Sequence, residues 1–110
     1  MANVSGAEPP QIATISVEGD TTVIRVVGEI DLASAATVRT RVDEAVEAGA
    51  ARIVFDLGAV DFIDSSGLAV LVSALRRTGA VALRNPAGNV RRVVEIAGLA
   101  DDLPFEATEA

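Results

Sequence analysis

The chain has 110 residues, half of them apolar, enough for one compact domain that buries roughly 65% of its unfolded surface and too few for two. Its net charge is −7 and all nine basic residues are arginine, which argues against a nucleic acid partner, because binding a polyanion needs a concentrated positive patch. With no His, Cys, Lys, Tyr or Trp, disulfides, thiolate metal sites and most catalytic constellations are excluded, and no apolar run approaches the ~18 residues of a membrane span.

Residues 1–10 carry Gly6 and Pro9-Pro10 with little hydrophobicity and no basic-then-apolar segment, so they read as a flexible tail rather than a signal peptide. Together with the missing membrane span, this makes a cytoplasmic protein the simplest expectation. The domain is expected to begin at Gln11 and run through 107, with 108–110 a flexible end. From 12 to 18, Ala13, Ile15 and Val17 alternate with Thr14, Ser16 and Glu18, the period of a half-buried strand. Gly19-Asp20 supplies a turn into the β-branched run 21–27, which makes a hairpin that Gly28 is expected to end.

Beyond Gly28-Glu29-Ile30-Asp31 the period changes. Ala35, Val38, Val42, Ala45 and Val46 fall on one helical stripe, while Arg39, Arg41, Asp43, Glu44 and Glu47 face water. Asp31 or Ser34 can cap its start and Gly49 its end. The continuous apolar run 52–57 reads as a central strand covered on both faces, followed by a turn. Leu68, Leu71, Val72 and Leu75 line a second helix over 68–77, whose Arg76-Arg77 suit the negative end of the helix dipole and whose Gly79 can take a left-handed cap. A short strand at 80–83 follows. Asn85-Pro86 then reads as a cap and first-turn proline for a third helix with Val90, Val93, Val94 and Ala97 inward, stopped by Gly98, and a last strand is expected near 103–105. This order predicts an α/β domain: a mixed sheet of four to five strands, the first antiparallel and the rest parallel, with three helices packed on it.

The most informative stretch is Asp64-Ser65-Ser66-Gly67, which puts two hydroxyls where strand gives way to helix. A serine there can be a plain helix N-cap, whose loss would cost about 1 kcal/mol, with Ser66 able to share that role. It can equally be a phosphoacceptor, its phosphate tolerated by the unpaired N–H groups and the dipole of the helix start. Asp56, Asp61 and Asp64 could be imagined as a Mg²⁺ site of the aspartyl phospho-receiver kind. That chemistry also needs a charge-neutralising lysine, which the chain lacks, so neither metal nor cofactor is expected. Arg76-Arg77 and Arg91-Arg92 read as solvated helix ends or faces, and Glu29 and Asp31 as a strand end and a cap or as contacts for a partner. No catalytic residue is expected, because Ser65 has no histidine or lysine to act as its general base and no glycine-rich phosphate loop is present.

Val26-Val27-Gly28-Glu29-Ile30-Asp31, Ile53-Val54-Phe55-Asp56-Leu57, Val60-Asp61-Phe62-Ile63-Asp64-Ser65-Ser66-Gly67-Leu68 and the late Ala97-Gly98-Leu99 together resemble the bacterial anti-sigma factor antagonists of the STAS domain family. The likeness runs from about residue 12 to 105. It implies partner switching: the unphosphorylated protein binds an anti-sigma factor that is also a serine kinase, which frees a sigma factor. Phosphorylation of the first motif serine, here Ser65, ends binding, and a metal-dependent serine phosphatase restores it. It further implies that Glu29, Asp31 and Asp61 face the partner, that Asp64, Ser66 and Gly67 support the acceptor, and that the protein is a monomer or weak dimer in the cytoplasm. A second reading keeps the fold but makes the chain a STAS subunit of a lipid-transport complex or stress-signalling scaffold without phosphoswitching.

Overall fold

Alternating β-branched residues, a helical stripe and a buried apolar run build the first half of the domain in chain order. The computed structural model describes residues 12–107, so the expected tail at 1–10, the start at Gln11 and the end at 108–110 lie outside the described residues. The elements are β1 (Ala13–Glu18), β2 (Thr21–Ile30), α1 (Leu32–Glu47), β3 (Arg52–Ile63), α2 (Ser65–Thr78), β4 (Val81–Arg84), α3 (Gly88–Ile96) and β5 (Phe105–Glu106). The five strands lie in the sheet in chain order; β1 pairs antiparallel with β2, and every later pairing is parallel. The expected mixed sheet with three helices is therefore the fold.

Two strands run further than their sequence signals indicate. Gly28 does not end β2; it lies inside the strand at φ +94°, next to irregularities in the β2–β3 register, so its missing side chain lets the strand bend rather than stop. Likewise β3 does not turn after Leu57. It continues through Gly58 to Ile63, because Val60 and Ile63 stay buried and the extension pairs with the upper half of β2, Val27 with Ala59 and Ile30 with Ile63. The expected helix start at Asn85-Pro86 is also displaced. Asn85 takes φ +54° and α3 begins at Gly88 with Ala87 as N-cap, so Pro86 belongs to the connection. Ala97 is the exposed C-cap of α3 rather than an inward residue.

All three helices share one face of the sheet. Val38 and Val42 of α1, Leu71 and Ala74 of α2, and Val90 and Val94 of α3 join Ile24, Val26, Ile53, Phe55, Leu57, Val81 and Leu83 in one core, with Leu103 sealing the end before β5. Helices thus cover β3 on one face only. Its other face carries the row Val23, Val54 and Ala82, which is buried without a helix above it. Ion pairs roof it. Arg84 on β4 reaches Glu18 on β1 at 3.6 Å, and Arg52 on β3 reaches Glu106 on β5 at 2.7 Å. Strands are about 4.8 Å apart, so these pairs span three and two strand spacings, and the arginine stems lie diagonally across the apolar row. Arg84 also pairs with Glu106 at 3.2 Å. No helix among the described residues is long and apolar enough to cross a membrane.

Helix α2 docks through Gly67. A β-carbon there would lie 2.5 Å from the Ile30 carbonyl oxygen, 2.6 Å from Ile63 Cγ1 and 2.8 Å from Ile30 Cγ2. Gly67 is fully packed without one, so the first turn of α2 rests directly on the end of β2, and Asp64 N–H donates to the Ile30 carbonyl at 3.1 Å.

Two predictions follow from this packing. Gly67→Ala gains helix propensity but must push the Ile30 backbone aside, and a net loss of about 2 kcal/mol is expected in urea denaturation; unchanged stability would contradict the close approach. Hydrogen bonding from Arg52 holds the Glu106 carboxyl below its ordinary value of 4.5, with Arg84 helping and partial burial opposing. A lowered folded pKa stabilises above the unfolded value, and that contribution is lost as pH falls through the folded one. Stability measured from pH 6 to 2 should therefore fall less steeply below pH ~4.5 in Glu106→Gln than in wild type.

Candidate functional site: the helix starts at the ends of β2 and β3

Strands β2 and β3 end in register, and each passes into a helix by the same device. After Ile30, Asp31 caps α1: its carboxylate accepts from Ser34 N–H at 3.1 Å, and Asp31 N–H donates to Ser34 Oγ at 3.0 Å. Both residues expected as alternative caps thus act together as a capping box. The Ser34 hydroxyl donates onward to the Glu29 carbonyl at 2.7 Å. The hydrogen bond from Ser34 N–H lowers the Asp31 carboxyl below its ordinary range, so this group carries its charge.

After Ile63, Asp64 caps α2. Its Oδ1 accepts from Ser66 N–H at 2.8 Å and from Gly67 N–H at 3.1 Å. Neither serine is the cap, and the reading of Ser65 as an N-cap is overturned: an aspartate one residue earlier already takes the Ser66 and Gly67 N–H groups. Of the N–H groups expected to tolerate a phosphate, those of Ser66 and Gly67 are bonded to Asp64 in this state. Ser65 is the first residue of α2, exposed, and among the described residues its hydroxyl has no hydrogen-bond partner. Ser66 is half-buried beside it, and Gly67 is held against Ile30. The four motif residues therefore have four tasks: to cap, to present a hydroxyl, to turn inward, and to allow close approach.

The acidic residues expected around the acceptor gather at this end. Glu29 is exposed and pairs in register with Phe62. Asp61 is the extra residue between Val60 and Phe62 where the register shifts, which turns its side chain outward. Its carbonyl accepts from Asn89 Nδ2 of α3 at 2.5 Å. Asp56 lies apart, lower on β3, its carboxylate accepting from Gly58 N–H at 3.1 Å. Among the described residues no three His, Cys, Asp or Glu side chains are grouped to hold a metal ion. Of the arginines, Arg77 pairs with Asp43 of α1 across the helix pair, and Arg91 pairs with Glu95 at 3.6 Å while lying 4.7 Å above the centre of the Phe105 ring.

Sequence reasoning missed three exposed large apolar residues in this region. Leu32, the first residue of α1, is 79% exposed, and Phe62 and Val27 are 46% and 41% exposed. Leu32 lies one turn before Ala35 on the apolar stripe, so periodicity sends it inward. Its place before the first full turn, just past the end of the inner strand β2, leaves it exposed among the described residues. For Phe62 the signal is lost in the bulge at Asp61, which shifts the alternation of β3.

Comparison with known proteins agrees with this arrangement. The sequence profile of the STAS domain matches residues 12–110. An anti-sigma F factor antagonist of Lysinibacillus sphaericus is 33% identical over 95 residues, covering 82% of this chain and 80% of that protein. The anti-sigma-F factor antagonist RsfB of Mycobacterium tuberculosis is 33% identical over 66 residues, or 60% of this chain and 54% of that protein. The fold superposes on the anti-sigma factor antagonist SpoIIAA in its unphosphorylated form with a TM-score of 0.76, 25% identity and 88% of each chain covered. For the phosphorylated form of the Bacillus SpoIIAA the TM-score is 0.69, at 25% identity and with 88% of this chain and 91% of that one covered. With the profile spanning nearly the whole sequence and the strand-to-helix motif in place, the chain belongs to the STAS domain family.

Proposed function

We propose that this protein is an anti-sigma factor antagonist: unphosphorylated, it binds an anti-sigma factor that is also a serine kinase and so frees a sigma factor, and phosphorylation of Ser65 ends that binding. The observation that carries this reading is the exposed Ser65 hydroxyl, without a hydrogen-bond partner among the described residues, on a helix start already capped by Asp64. A side chain with no structural task, exposed and fixed in position by a rigid turn, is what a kinase can engage without unfolding its substrate. The antagonist relatives and the family membership support the same role. The chain reads as a substrate rather than a catalyst, since it has no histidine or lysine to act as a base for Ser65.

In the transfer, Ser65 Oγ attacks the γ-phosphorus of ATP in the kinase site. The new Oγ–P bond replaces the bond to ADP, and the hydroxyl proton passes to a base of the kinase. A metal-dependent serine phosphatase hydrolyses the phosphoserine and returns the hydroxyl. The product adds about −1.5 to −2 charges. The Ser66 and Gly67 N–H groups are already bonded to Asp64, so the phosphate need not displace the cap and stays on the surface. Once modified, Ser65 is repelled by any carboxylate or nucleotide phosphate that faces it at close range in the kinase site. One unit charge about 5 Å from another at an effective dielectric of ~20 gives roughly 3 kcal/mol, more than two powers of ten in affinity. Exclusion by size adds to this. The whole cycle belongs in the cytoplasm, where ATP is available.

Incubation with ATP and the kinase, followed by mass spectrometry, should place phosphate on Ser65 in wild type and in Ser66→Ala, and none on Ser65→Ala; phosphate on Ser66 in wild type would overturn the assignment. Thermal melting separates the two roles. Ser65→Ala should lie within about 0.5 kcal/mol of wild type, as for surface substitutions, whereas Asp64→Ala should lose about 1 kcal/mol with its cap.

A further inference from the structure

The two helix starts are structural equivalents. Ile30 and Ile63 are register partners, Asp31 and Asp64 are the N-caps that follow them, and Leu32 and Ser65 are the first residues of α1 and α2. Neighbouring strands lie about 4.8 Å apart and packed helices 8–10 Å apart, which puts Leu32 roughly 10 Å or less from Ser65 on the same end of the sheet. Leu32 is 79% exposed there. Of the large apolar residues that are exposed among the described residues, Val27, Leu32 and Phe62 all belong to the upper ends of β2 and β3 and the start of α1, while Val17 and Ile96 lie elsewhere.

The charges around Leu32 are unbalanced in one direction. Among the described residues, Glu29, Asp31, Asp61 and Asp64 form no ion pair, a state they share with Asp20, Glu47, Asp56, Asp101 and Asp102 elsewhere, but here four such acids belong to the adjoining ends of β2 and β3 and the helix starts that follow. An apolar knob beside carboxylates that lack a cationic partner is complementary to an apolar pocket with a basic rim. The same carboxylates disfavour a second copy of this chain, which would bring like charge against them.

We infer that Leu32 is the apolar anchor of the docking face: the anti-sigma kinase buries its side chain in an apolar pocket rimmed by arginine or lysine, next to the site that receives Ser65. This rests on the reading of Ser65 proposed above and assigns partner recognition to a residue of the neighbouring βα unit. Burial of the anchor and modification of Ser65 then oppose each other across one strand spacing.

The test is titration calorimetry of the unphosphorylated chain against the purified kinase that phosphorylates it. Leu32→Ala should weaken binding on the order of tenfold to a hundredfold, the range expected for removing a buried leucine side chain. Leu32→Met should stay within about threefold of wild type, Ile96→Ala should bind as wild type, and all should melt as wild type. If Leu32→Ala binds like wild type while Ser65→Glu does not bind, the anchor is overturned and the phosphoswitch stands. If Ser65→Glu also binds like wild type, both fall. Equal weakening by Ile96→Ala would reduce the effect to general surface hydrophobicity and overturn the anchor as well.

Discussion

The arrangement depends on how closely the first turn of α2 approaches the end of β2. Gly67 leaves room for no side-chain atom between itself and the Ile30 carbonyl, and the Asp64 N–H is hydrogen-bonded to that same carbonyl. This contact locks the helix start to the strand end, fixing where Ser65 emerges. Because the contact is made by backbone and a glycine, it does not draw on the serine hydroxyls.

That separation would let the proposed modification of Ser65 act locally. Asp64 satisfies the two N–H groups that a serine cap or a phosphate would otherwise use, so the stability of α2 and the chemistry of Ser65 are carried by different residues. The capping box at α1 repeats the device in the adjacent βα unit, with Leu32 where α2 has Ser65. On the opposite face, the arginine stems over Val23, Val54 and Ala82 close the sheet without a helix and place the ion pairs away from the acidic end. Interior order and surface charge are thus segregated by position.

Much of the fold was legible in residue periodicity. The hairpin, the apolar stripe of α1 and the left-handed cap at Gly79 all follow from local physical chemistry that each segment carries alone. The extensions of β2 and β3 were not legible, because Gly28 and Gly58 look like strand ends until long-range pairing holds them in the sheet. Asn85-Pro86 carried a helix-start signal, but the chain uses it for a turn with Asn85 in the left-handed region. At the strand-to-helix junction the motif's serines offered themselves as caps, but Asp64 takes that place. A cap belongs to whichever polar side chain reaches two N–H groups, which depends on where the helix begins, and α2 begins three residues before its apolar pattern does. The exposure of Leu32 escaped for a related reason: periodicity reports direction, not whether a neighbour is present.

The most direct measurement is the structure in solution or crystal of this chain phosphorylated by its kinase. The account predicts phosphate on Ser65 Oγ, the Asp64 carboxylate still bonded to Ser66 and Gly67 N–H, and the ends of β2 and α1 unmoved. A phosphate that displaces Asp64 and takes those N–H groups, with α2 or β2 shifted in response, would contradict it.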